Sequence, residues 1–453
     1  MNIRKRIVAA AVAAGLAVTL VACSDGGSGE RSADGRIAVS INGQPPQTQA
    51  FERMIFDQDV AEFEATHPDI DLVPHEGFME VEQFSAKLAG GQLEDVFYVY
   101  FTDPAQIIAR RQAADITEAA AAIPEVAQLQ PQLLDVFRNA EGKLFGLPTA
   151  NYSMGLLYNR TLFTRAGLDP NKPPRTWAEV ADAAKKISAL GGGTVGYADF
   201  SRNNQGGWHL TAWINSLGGQ VARKDGDAWK ADFNNEITRT ALNHLKRMRW
   251  TDDSMGTKQL LEAADAQRMM GAGQLGMYLA APDNVPTVVK QFNGKYEDYG
   301  LAPIPEAKGT LIGGEGYMVN PKASPEKVKA GLEWIRWRYL NPARFDSFTK
   351  RYADAKQPVG LPAVPNQDIW QGEARAQQEA AKTKYANIPA QHYKPYLDAA
   401  STIKGSLEPP NAQQVYAALD TVMQAVLTKA DANVDELLSA AETRVNGILA
   451  QVK

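Results

Sequence analysis

Hydrophobic and polar positions along the chain form short blocks that alternate between the period of a strand and the period of a helix. Phe56, Val60 and Phe63, at spacing i, i+4 and i+7, predict a helix over about 49–65. Short, mainly apolar runs predict strands, and they lie at 37–41, 70–73, 96–100, 155–158, 275–279 and 317–319. The run at 96–100 is unbroken, as in parallel sheets that are covered on both faces. Strands and helices alternate from residue 36 onward, which indicates the α/β class.

Further amphipathic patterns add helices to this plan. The segment Thr176–Glu179 has the form of a capping box, which predicts a helix beginning at its second residue. The apolar stripe behind it ends at three consecutive glycines, 191–193. Two more helices are predicted near 81–89 and at 327–339. The last hundred residues become helical, with a clean apolar face between residues 434 and 452.

The first 23 residues carry the pattern of an export signal. Three basic residues at positions 4–6 precede the apolar stretch Ile7–Val21, and small residues then lead to Cys23, the only cysteine in 453 residues. This resembles a bacterial lipobox, so we expect cleavage after residue 22 and lipidation of Cys23. A plain secretion signal with an incidental thiol is the alternative. The apolar stretch is too short for a permanent membrane span, and residues 24–35, rich in Gly and Ser, predict a flexible tether.

The composition favours a large globular bacterial protein. Hydrophobic residues make up 44% of the chain and charged residues 22%, which is enough for a sizeable core. Cleavage after residue 22 removes three basic residues and changes the net charge from −5 to −8. An acidic chain without blocks of Lys and Arg has no electrostatic footprint for nucleic acid. With Cys23 lipidated no disulfide can form, so the core must stabilise the fold.

Familiar catalytic and cofactor motifs fit the chain poorly. G-x-G-x-x-G occurs at 191–196 and 271–276, but each copy follows a predicted helix and leads into a strand. A dinucleotide site needs the reverse order. The five histidines show no i, i+4 pair and no cysteine partner, so we expect neither a metal site nor a cofactor. A pair of glycosidase carboxylates depends on spatial rather than sequential spacing, and this alternative stays open.

Five groups of segments, in a fixed order over nearly the whole chain after the tether, carry a resemblance to a known family. They are Phe63–Ile70; Gly142–Pro148 with Gly155–Asn159; Leu162–Leu168 with Pro174–Glu179; Gly273–Met277; and Ala302–Pro305 with Gly313–Gly314. Together they resemble the extracellular solute-binding proteins of carbohydrate ABC importers, the maltose-binding-protein-like family. Each segment alone is weak, whereas the ordered set is specific.

The resemblance implies an α/β fold of two lobes, like that of periplasmic binding proteins. Each lobe is a sheet flanked by helices, and the ligand cleft lies at the hinge that joins them. The chain is expected to cross this hinge near residues 148–150, 302–304 and 339–342. The expected division is 1–22 signal peptide, 23–35 lipidated cysteine and tether, 36–149 with 304–340 first lobe, and 150–303 with 341–453 second lobe.

The resemblance also implies which residues line the cleft. A sugar presents polar edges and apolar C–H faces, so its site combines aromatic platforms with carboxylate or amide acceptors. The expected ligand-binding residues are Asn42, Gln44, Tyr100, Phe101, Asp103, Asn151, Tyr152, Trp208, Asp283, Gly314 and Glu315, with Gln205 and His209 beside the tryptophan. Each has an alternative interpretation, since the aromatic side chains suit a core and the polar ones suit a solvated or capping position.

Asp283 marks a departure from the family pattern. After the proline of Ala280–Pro282 the family often has a tryptophan that stacks on the ligand, whereas this chain has an aspartate. We therefore expect a hydrogen-bond acceptor in place of a stacking platform. This favours a short, polar sugar over a long maltodextrin.

These inferences lead to one expected function and two alternatives. The lipobox pattern implies a lipid-anchored protein at the outer face of the cytoplasmic membrane, and we expect it to be a monomer. It is expected to capture a mono- or short oligosaccharide by hinge closure and to deliver it to the transmembrane permease of an ABC transporter, without enzymatic activity and without a nucleic-acid partner. The alternatives are a lipid-anchored glycan hydrolase and an adhesion or cell-wall lipoprotein.

Overall fold

The structure is a computed structural model that describes residues 31–77, 81–226, 228–360, 368–400 and 402–452. The expected signal peptide, Cys23 and residues 24–30 of the expected tether lie outside the described residues. None of the described helices combines the length and apolar character that a membrane span requires.

Twelve strands lie within the described residues. They are β1 (Ile37–Gln44), β2 (Ile70–Glu76), β3 (Val96–Tyr100), β4 (Gly146–Ser153), β5 (Gly155–Asn159), β6 (Val195–Tyr197), β7 (Ala222–Asp225), β8 (Ala228–Ala231), β9 (Leu275–Ala280), β10 (Tyr299–Pro303), β11 (Thr310–Val319) and β12 (Gly405–Ser406). The runs predicted as strands are all found here, with boundaries within a few residues, except that β11 begins seven residues before the predicted run at 317–319.

Seventeen α-helices lie in the same part of the chain. They are α1 (Ala50–Thr66), α2 (Val81–Ala89), α3 (Pro104–Ala109), α4 (Thr117–Ala121), α5 (Pro131–Leu134), α6 (Arg160–Arg165), α7 (Trp177–Ser188), α8 (Gln205–Ser216), α9 (Glu236–Lys246), α10 (Ala263–Gly271), α11 (Asn284–Phe292), α12 (Pro325–Tyr339), α13 (Phe345–Asp354), α14 (Gly372–Lys384), α15 (Lys394–Ala400), α16 (Ala412–Thr428) and α17 (Val434–Leu449). The predicted capping box at the start of α7 is confirmed, since Glu179 N donates to Thr176 Oγ1 and the Glu179 side chain accepts from Thr176 N.

The first sheet has six strands in the order β12-β11-β3-β1-β2, with β4 also paired to β11. β1 runs parallel to β2 and to β3, as the buried apolar run at 96–100 predicted. β11 runs antiparallel to β3 and to β4. Its side chains join those of α1, α12 and α14 in one core, which includes Phe56, Phe97, Trp334 and Trp370.

The second sheet has four strands in the order β10-β5-β9-β6. Alternate residues of β5 point to opposite faces, because strand side chains have a period of two. Leu156 and Tyr158 belong to the core cluster that holds α7, α8, α16 and α17, whereas Leu157 belongs to a cluster with α10, α11 and α15. Sheets flanked by helices confirm the α/β class.

The chain passes from the first sheet to the second between β4 and β5, and back between β10 and β11. After α12 its packing differs from the expected boundary at residue 340. Phe345, Ile369 and Trp370 pack in the first core, and the chain reaches a core of the second sheet at Ile388 and Tyr393.

We call the first sheet with the helices packed on it the first body, and the second sheet with its helices the second body. A buried carboxylate explains why α13 lies on the first body. Asp59 of α1 accepts hydrogen bonds from Arg338, Arg344 and Arg351 at 3.2, 3.0 and 2.7 Å. Burial raises the pKa of Asp59, but the three guanidinium groups outweigh it and hold the pKa below the usual value. If α12 and α13 moved away from α1, the buried Asp59 carboxylate would lose its positively charged partners. This cost fixes the two helices against α1.

Candidate functional site

Three neighbouring strands of the first sheet bring several predicted site residues together. On β11, Glu315 lies opposite Tyr100 of β3. On its other side β11 pairs with β4, where Gly314 lies opposite Asn151 and the preceding glycine opposite Tyr152. Five of the expected ligand-binding residues therefore share one patch of the sheet, although their positions in the sequence differ by more than 200 residues.

Two glycines allow this close arrangement. A Cβ atom on Gly314 would lie 2.3 Å from the Ala150 carbonyl oxygen and 2.7 Å from the Phe101 ring. A Cβ atom on Gly313 would lie 2.3 Å from the Tyr152 hydroxyl oxygen. The absence of a side chain at both positions lets the strands approach and lets the Tyr152 ring lie flat against β11.

The Glu315 side chain is hydrogen-bonded to a tyrosine of the neighbouring strand. The hydroxyl of Tyr98, the middle residue of β3, donates to Glu315 Oε2 in a part-buried position. Burial raises the pKa of the Glu315 carboxyl, while the Tyr98 hydrogen bond and the charge of Arg338 partly oppose the shift. Its carboxylate is thus fixed in place midway along β11.

Tyr152 lies at the centre of a group of carboxyls. Burial, and then the charges of Glu408, Asp283 and Glu315, raise the pKa of its hydroxyl above the usual range. Asp283 follows β9 of the second sheet by three residues, whereas Glu315 lies on β11 of the first sheet, so charges from both sheets act on Tyr152. We call the region bounded by Tyr100, Tyr152 and Glu315 on one side and by Trp208, Asp283 and Glu408 on the other the cleft.

The carboxyls of the cleft are partly desolvated. Asp283 is exposed to solvent just before α11, yet the protein around it raises its pKa. Asp103 accepts from Tyr100 N at 3.1 Å and from Thr102 Oγ1 at 3.2 Å, and burial raises its pKa as well. For Glu408 burial raises the pKa to about 7, although a hydrogen bond with the Tyr416 side chain opposes the shift, and the charge of Asp103 adds to it. Side chains that are accessible yet surrounded by protein are typical of a concave site.

The second body contributes aromatic side chains from α8 and α16. Trp208 lies in the first turn of α8 and is partly buried against both cores of the second sheet. Its neighbour Gly207 packs against the backbone of Tyr416 on α16. The Tyr416 hydroxyl lies beside Glu408 and Tyr152, which ties this wall to the centre of the cleft.

Several predicted site residues are engaged in contacts within the protein. Asn42 is 3% exposed, and its Oδ1 accepts from Tyr98 N at 2.6 Å. Gln44 Nε2 donates to Asp57 on α1 at 2.9 Å. Phe101, 9% exposed, packs edge-on against Phe137. These side chains support the strand ends.

The pair beside Trp208 has similar internal partners. Gln205 Oε1 accepts from Ala263 N at 2.6 Å, at the start of α10. His209 is fully buried, and its Nδ1 lies 2.8 Å from Asp199 Oδ1. Gln205 and Trp208 are thus partly accessible, whereas His209 is not.

Sequence reasoning missed Tyr98, Glu408 and Tyr416. Tyr98 lies in a strand whose residues all read as core. Glu408 lies four residues before α16, outside both its N-cap, Asn411, and its first turn, so the start of that helix gave no signal for it. No pattern in the sequence places that helix start opposite Tyr152.

Two contacts join the first and second bodies across the cleft. Gln106 Nε2 of α3 donates to Asn411 Oδ1, the residue before α16, at 2.9 Å. Lys290 of α11 lies 3.9 Å from Glu52 of α1. Within the described residues, no group of three His, Cys, Asp or Glu side chains could hold a metal ion.

A second concavity, of about 990 Å³, lies beside the N-terminus of α7 and the end of β10. It is lined by side chains of both charges, including Asp169, Lys172, Arg175 and Glu179, and it contains none of the predicted site residues. This concavity is open and carries both charges, whereas the cleft has carboxyls from both bodies. We therefore take the cleft as the candidate site.

Comparison with known proteins places this geometry in context. The family model of the bacterial extracellular solute-binding proteins matches residues 44–343, about two thirds of the chain. The sn-glycerol-3-phosphate-binding periplasmic protein UgpB of Brucella abortus is 24% identical over 235 residues, which are 50% of this chain and 52% of that protein. The chain thus spans about half the length of the curated relatives it matches.

Solved structures match over almost the whole chain. The cyclic α-maltosyl-1,6-maltose binding protein of Arthrobacter globiformis has a TM-score of 0.71 at 22% identity, covering 92% of this chain and 100% of that one. UgpB of Mycobacterium tuberculosis, in complex with glycerophosphocholine, has a TM-score of 0.70 at 16% identity, covering 91% and 98%. At these identities the likeness shows the fold, which is the two-lobed fold of periplasmic binding proteins.

Proposed function

Because the chain belongs to the family of bacterial extracellular solute-binding proteins, we propose that it captures a sugar in the cleft and delivers it to the permease of an ABC importer. The ligand is a mono- or short oligosaccharide. Capture works by hinge closure, since a ligand that contacts both lobes stabilises the closed form. The permease then recognises that form.

The convergence of carboxyls from both bodies on Tyr152 supports this proposal most strongly. A sugar ring offers hydroxyl donors around its edge and C–H groups on its faces, and carboxylates beside a tyrosine suit both. A ligand between Glu315 and Asp283 would contact both sheets at once. Such a contact is what couples binding to closure.

We assign roles to the predicted residues on this basis. Tyr100, Tyr152 and Trp208 supply aromatic surface, and Asp103, Asp283, Glu315 and Asn151 supply acceptors. Gly314 permits close approach of the ligand to β11. Asn42, Gln44 and Phe101 position the strand ends from behind. Glu408, which the sequence did not suggest, joins the acceptors.

The two sheets define the two lobes of this proposal. The core clusters support assigning residues 36–149, 312–340 and also 345–381 to the first lobe, and 155–303 with 393–400 and 412–449 to the second. This differs from the expected division mainly in α13 and α14. The hinge then consists of the segments between β4 and β5, between β10 and β11, and around residues 382–392.

We further propose that Cys23 is lipidated and that the protein acts as a monomer at the outer face of the cytoplasmic membrane. The basic and apolar pattern before Cys23 supports this. A lipid anchor with a flexible tether keeps the receptor at a high local concentration near its permease, while both lobes remain free to move.

The hydrolase alternative requires turnover in addition to binding. It would use two cleft carboxyls, one with a raised pKa, to cleave a glycosidic bond. None of the proteins named above is described as a hydrolase, and family members are binding proteins. Binding without chemistry is therefore the function we favour.

Tryptophan fluorescence of the purified protein tests the proposal, because Trp208 lies at the cleft. The protein is titrated with mono- and disaccharides, amino acids, short peptides and polyamines. We expect a saturable change with at least one sugar and none with the other classes. Saturable binding of amino acids or peptides alone would overturn the sugar assignment and leave a solute-binding role.

A further inference from the structure

Three consecutive residues of β4 are bonded to different parts of the molecule. Asn151 Nδ2 donates to the Asp368 carbonyl oxygen at 3.1 Å. Asp368 directly precedes two residues of the first core, so this bond attaches Asn151 to the first lobe. Ser153 is instead bonded to Tyr396 of α15, which packs in a core of the second lobe. Tyr152 lies between these two attachments.

The Tyr396 hydroxyl binds both backbone groups of Ser153. It donates to the Ser153 carbonyl oxygen at 2.8 Å, accepts from Ser153 N at 3.2 Å and lies 2.7 Å from Ser153 Oγ. Tyr396 is 7% exposed, and a Cβ atom on Gly155 would lie 2.8 Å from its ring. Burial raises the pKa of the hydroxyl above the usual range, although its bonds to Ser153 oppose the shift, so it remains able to donate. A side chain of the second lobe thus satisfies the backbone of Ser153 as a neighbouring strand would.

The connection from β4 to β5 is attached to the second lobe as well. It consists of one residue, Met154. Met154 N donates to Leu311 O at 3.0 Å, and its carbonyl oxygen accepts from Thr310 Oγ1 at 2.9 Å. Leu311 packs in a core of the second lobe. Ser153 and Met154 therefore belong mechanically to that lobe.

The strand opposite Tyr152 is suited to bending. Tyr152 pairs with Gly313 and Asn151 pairs with Gly314, so two consecutive positions of β11 carry no side chain. Glycine inside a strand weakens the strand and often marks a bend. The place where the attachments of β4 change from one lobe to the other therefore coincides with the weakest part of its neighbour.

We propose that Tyr396 is a positioning residue for sugar capture. Its hydroxyl fixes Ser153 to the second lobe, so that closure of the cleft bends β4 at Tyr152 and moves the Tyr152 ring together with the second lobe. The inference rests on the proposed function. It places the bend of the first hinge segment within β4, before the connection to β5.

The physical reason is that both lobes orient a binding residue that lies at the pivot. Binding is coupled to closure when the ligand interacts better with one conformation than with the other. Because Asn151 is attached to one lobe and Ser153 to the other, the backbone of Tyr152 adapts to the angle between them. Without the Tyr396 hydroxyl, the end of β4 loses its attachment and the Tyr152 ring no longer moves with the second lobe. Ordering that ring then opposes binding.

Calorimetric titration of the purified protein and two variants tests this inference. The panel consists of glucose, galactose, mannose, maltose, cellobiose and lactose. Tyr396→Phe keeps the ring and removes the hydroxyl. For each sugar of the panel that the original protein binds, we expect this variant to bind at least about fivefold more weakly, the factor that ordering one side chain on binding gives.

Tyr393→Phe is the matched control. The Tyr393 hydroxyl also donates to a backbone carbonyl, that of Tyr296 at 2.7 Å, but both residues pack in the same core of the second lobe. Urea unfolding should show a similar loss of stability in the two variants, since each removes a hydrogen-bonded hydroxyl. The affinity of Tyr393→Phe should stay within about twofold of the original value.

A double-mutant cycle shows whether Tyr396 acts through Tyr152. Tyr152→Leu removes the ring that Tyr396 is proposed to position. In that background, Tyr396→Phe should change the affinity by less than about twofold, because the effects of two residues that act through one another do not add.

The outcomes distinguish this inference from the function on which it rests. If a sugar binds and Tyr396→Phe binds it as tightly as Tyr393→Phe, the inference is overturned and sugar capture stands. The same holds if Tyr396→Phe weakens binding equally with and without the Tyr152 ring. If the original protein binds none of these sugars, the sugar assignment is overturned together with the inference.

Discussion

At the scale of single residues, Glu408 shows how burial moves a carboxyl into the physiological pH range. Its pKa rises to about 7 from an ordinary value of 4.5. Between these values the folded protein binds more protons than the unfolded chain does. The free energy of unfolding therefore falls as pH rises from about 4.5 to about 7, and this contribution is constant above that range.

Glu408→Gln should remove this pH dependence, because glutamine does not titrate. We expect the variant to be more stable than the original protein at pH 8 by about 3 kcal/mol, and to be equally stable near pH 4.5. Urea unfolding at both pH values measures the difference, with Glu118→Gln as the matched exposed control. An unchanged pH slope in Glu408→Gln would show that the carboxyl titrates normally.

Asp283→Ala should separate binding from stability. The side chain is solvent-exposed, and its pKa is raised by surrounding protein, so removing it costs the fold little. We expect the free energy of unfolding to change by no more than about 0.5 kcal/mol, as for ordinary surface substitutions. Sugar affinity should fall at least about tenfold, as a charged acceptor is lost. Asp431→Ala, an exposed aspartate after α16, is the control, and equal affinity in both variants would remove Asp283 from the site.

At the scale of elements, the pairing of β11 with β4 sets the shape of the cleft. The two adjacent glycines of β11 have different neighbours: backbone and a packed ring at Gly314, and the mobile end of a side chain at Gly313. A methyl group at each position therefore has different consequences. A methyl group at Gly314 therefore tests the β11–β4 strand pair, and one at Gly313 tests the position of the Tyr152 ring.

Gly314→Ala should destabilise the protein by about 2 kcal/mol or more, because its methyl group would collide with the Ala150 carbonyl and force the strands apart. Gly313→Ala should displace the Tyr152 ring instead, with a smaller loss of stability and a loss of sugar affinity of about tenfold. Thermal unfolding and fluorescence titration of both variants make the comparison. Similar effects of the two on stability would contradict it.

Much of this element order could be predicted from the sequence. The capping box at Thr176 and the apolar runs depend on neighbouring residues, so local pattern was sufficient for α7, β3 and β9. The C-terminal third was harder. Its helices were predicted, but the placement of α13 on the first lobe depends on Arg344 and Arg351 meeting Asp59, nearly 300 residues away.

The candidate site could also be predicted only in part. Tyr100 and Tyr152 lie near strand ends, Asp283 follows a strand and Glu315 lies midway along β11, and the family resemblance could align all four. Asn42 and Gln44 also lie at a strand end, yet their amides bond within the protein. Whether an amide faces ligand or backbone is decided by tertiary neighbours such as Tyr98.

At the scale of the whole molecule, closure depends on contacts that exist only when the lobes meet. The hydrogen bond from Gln106 to Asn411 is one of these. Asn411 has a left-handed backbone, with φ of 53°, a conformation that glycine adopts without strain. Glycine at this position therefore removes the side chain and preserves the backbone.

Gln106→Ala and Asn411→Gly should each weaken affinity for the sugar identified by titration by about fivefold, the value of one hydrogen bond of about 1 kcal/mol. The double variant should be no weaker than either single one, because both remove the same bond. Additive losses would show that the two residues act separately and that this contact does not stabilise the closed form.

The central claim is that the protein holds a sugar reversibly and does not convert it. Equilibrium dialysis of the purified protein against a mixture of sugars, followed by mass spectrometry of the released ligand, tests both parts in one measurement. We predict one sugar molecule retained per chain and recovered with its mass unchanged. Retention of no sugar, or recovery of cleaved sugars, would contradict the account.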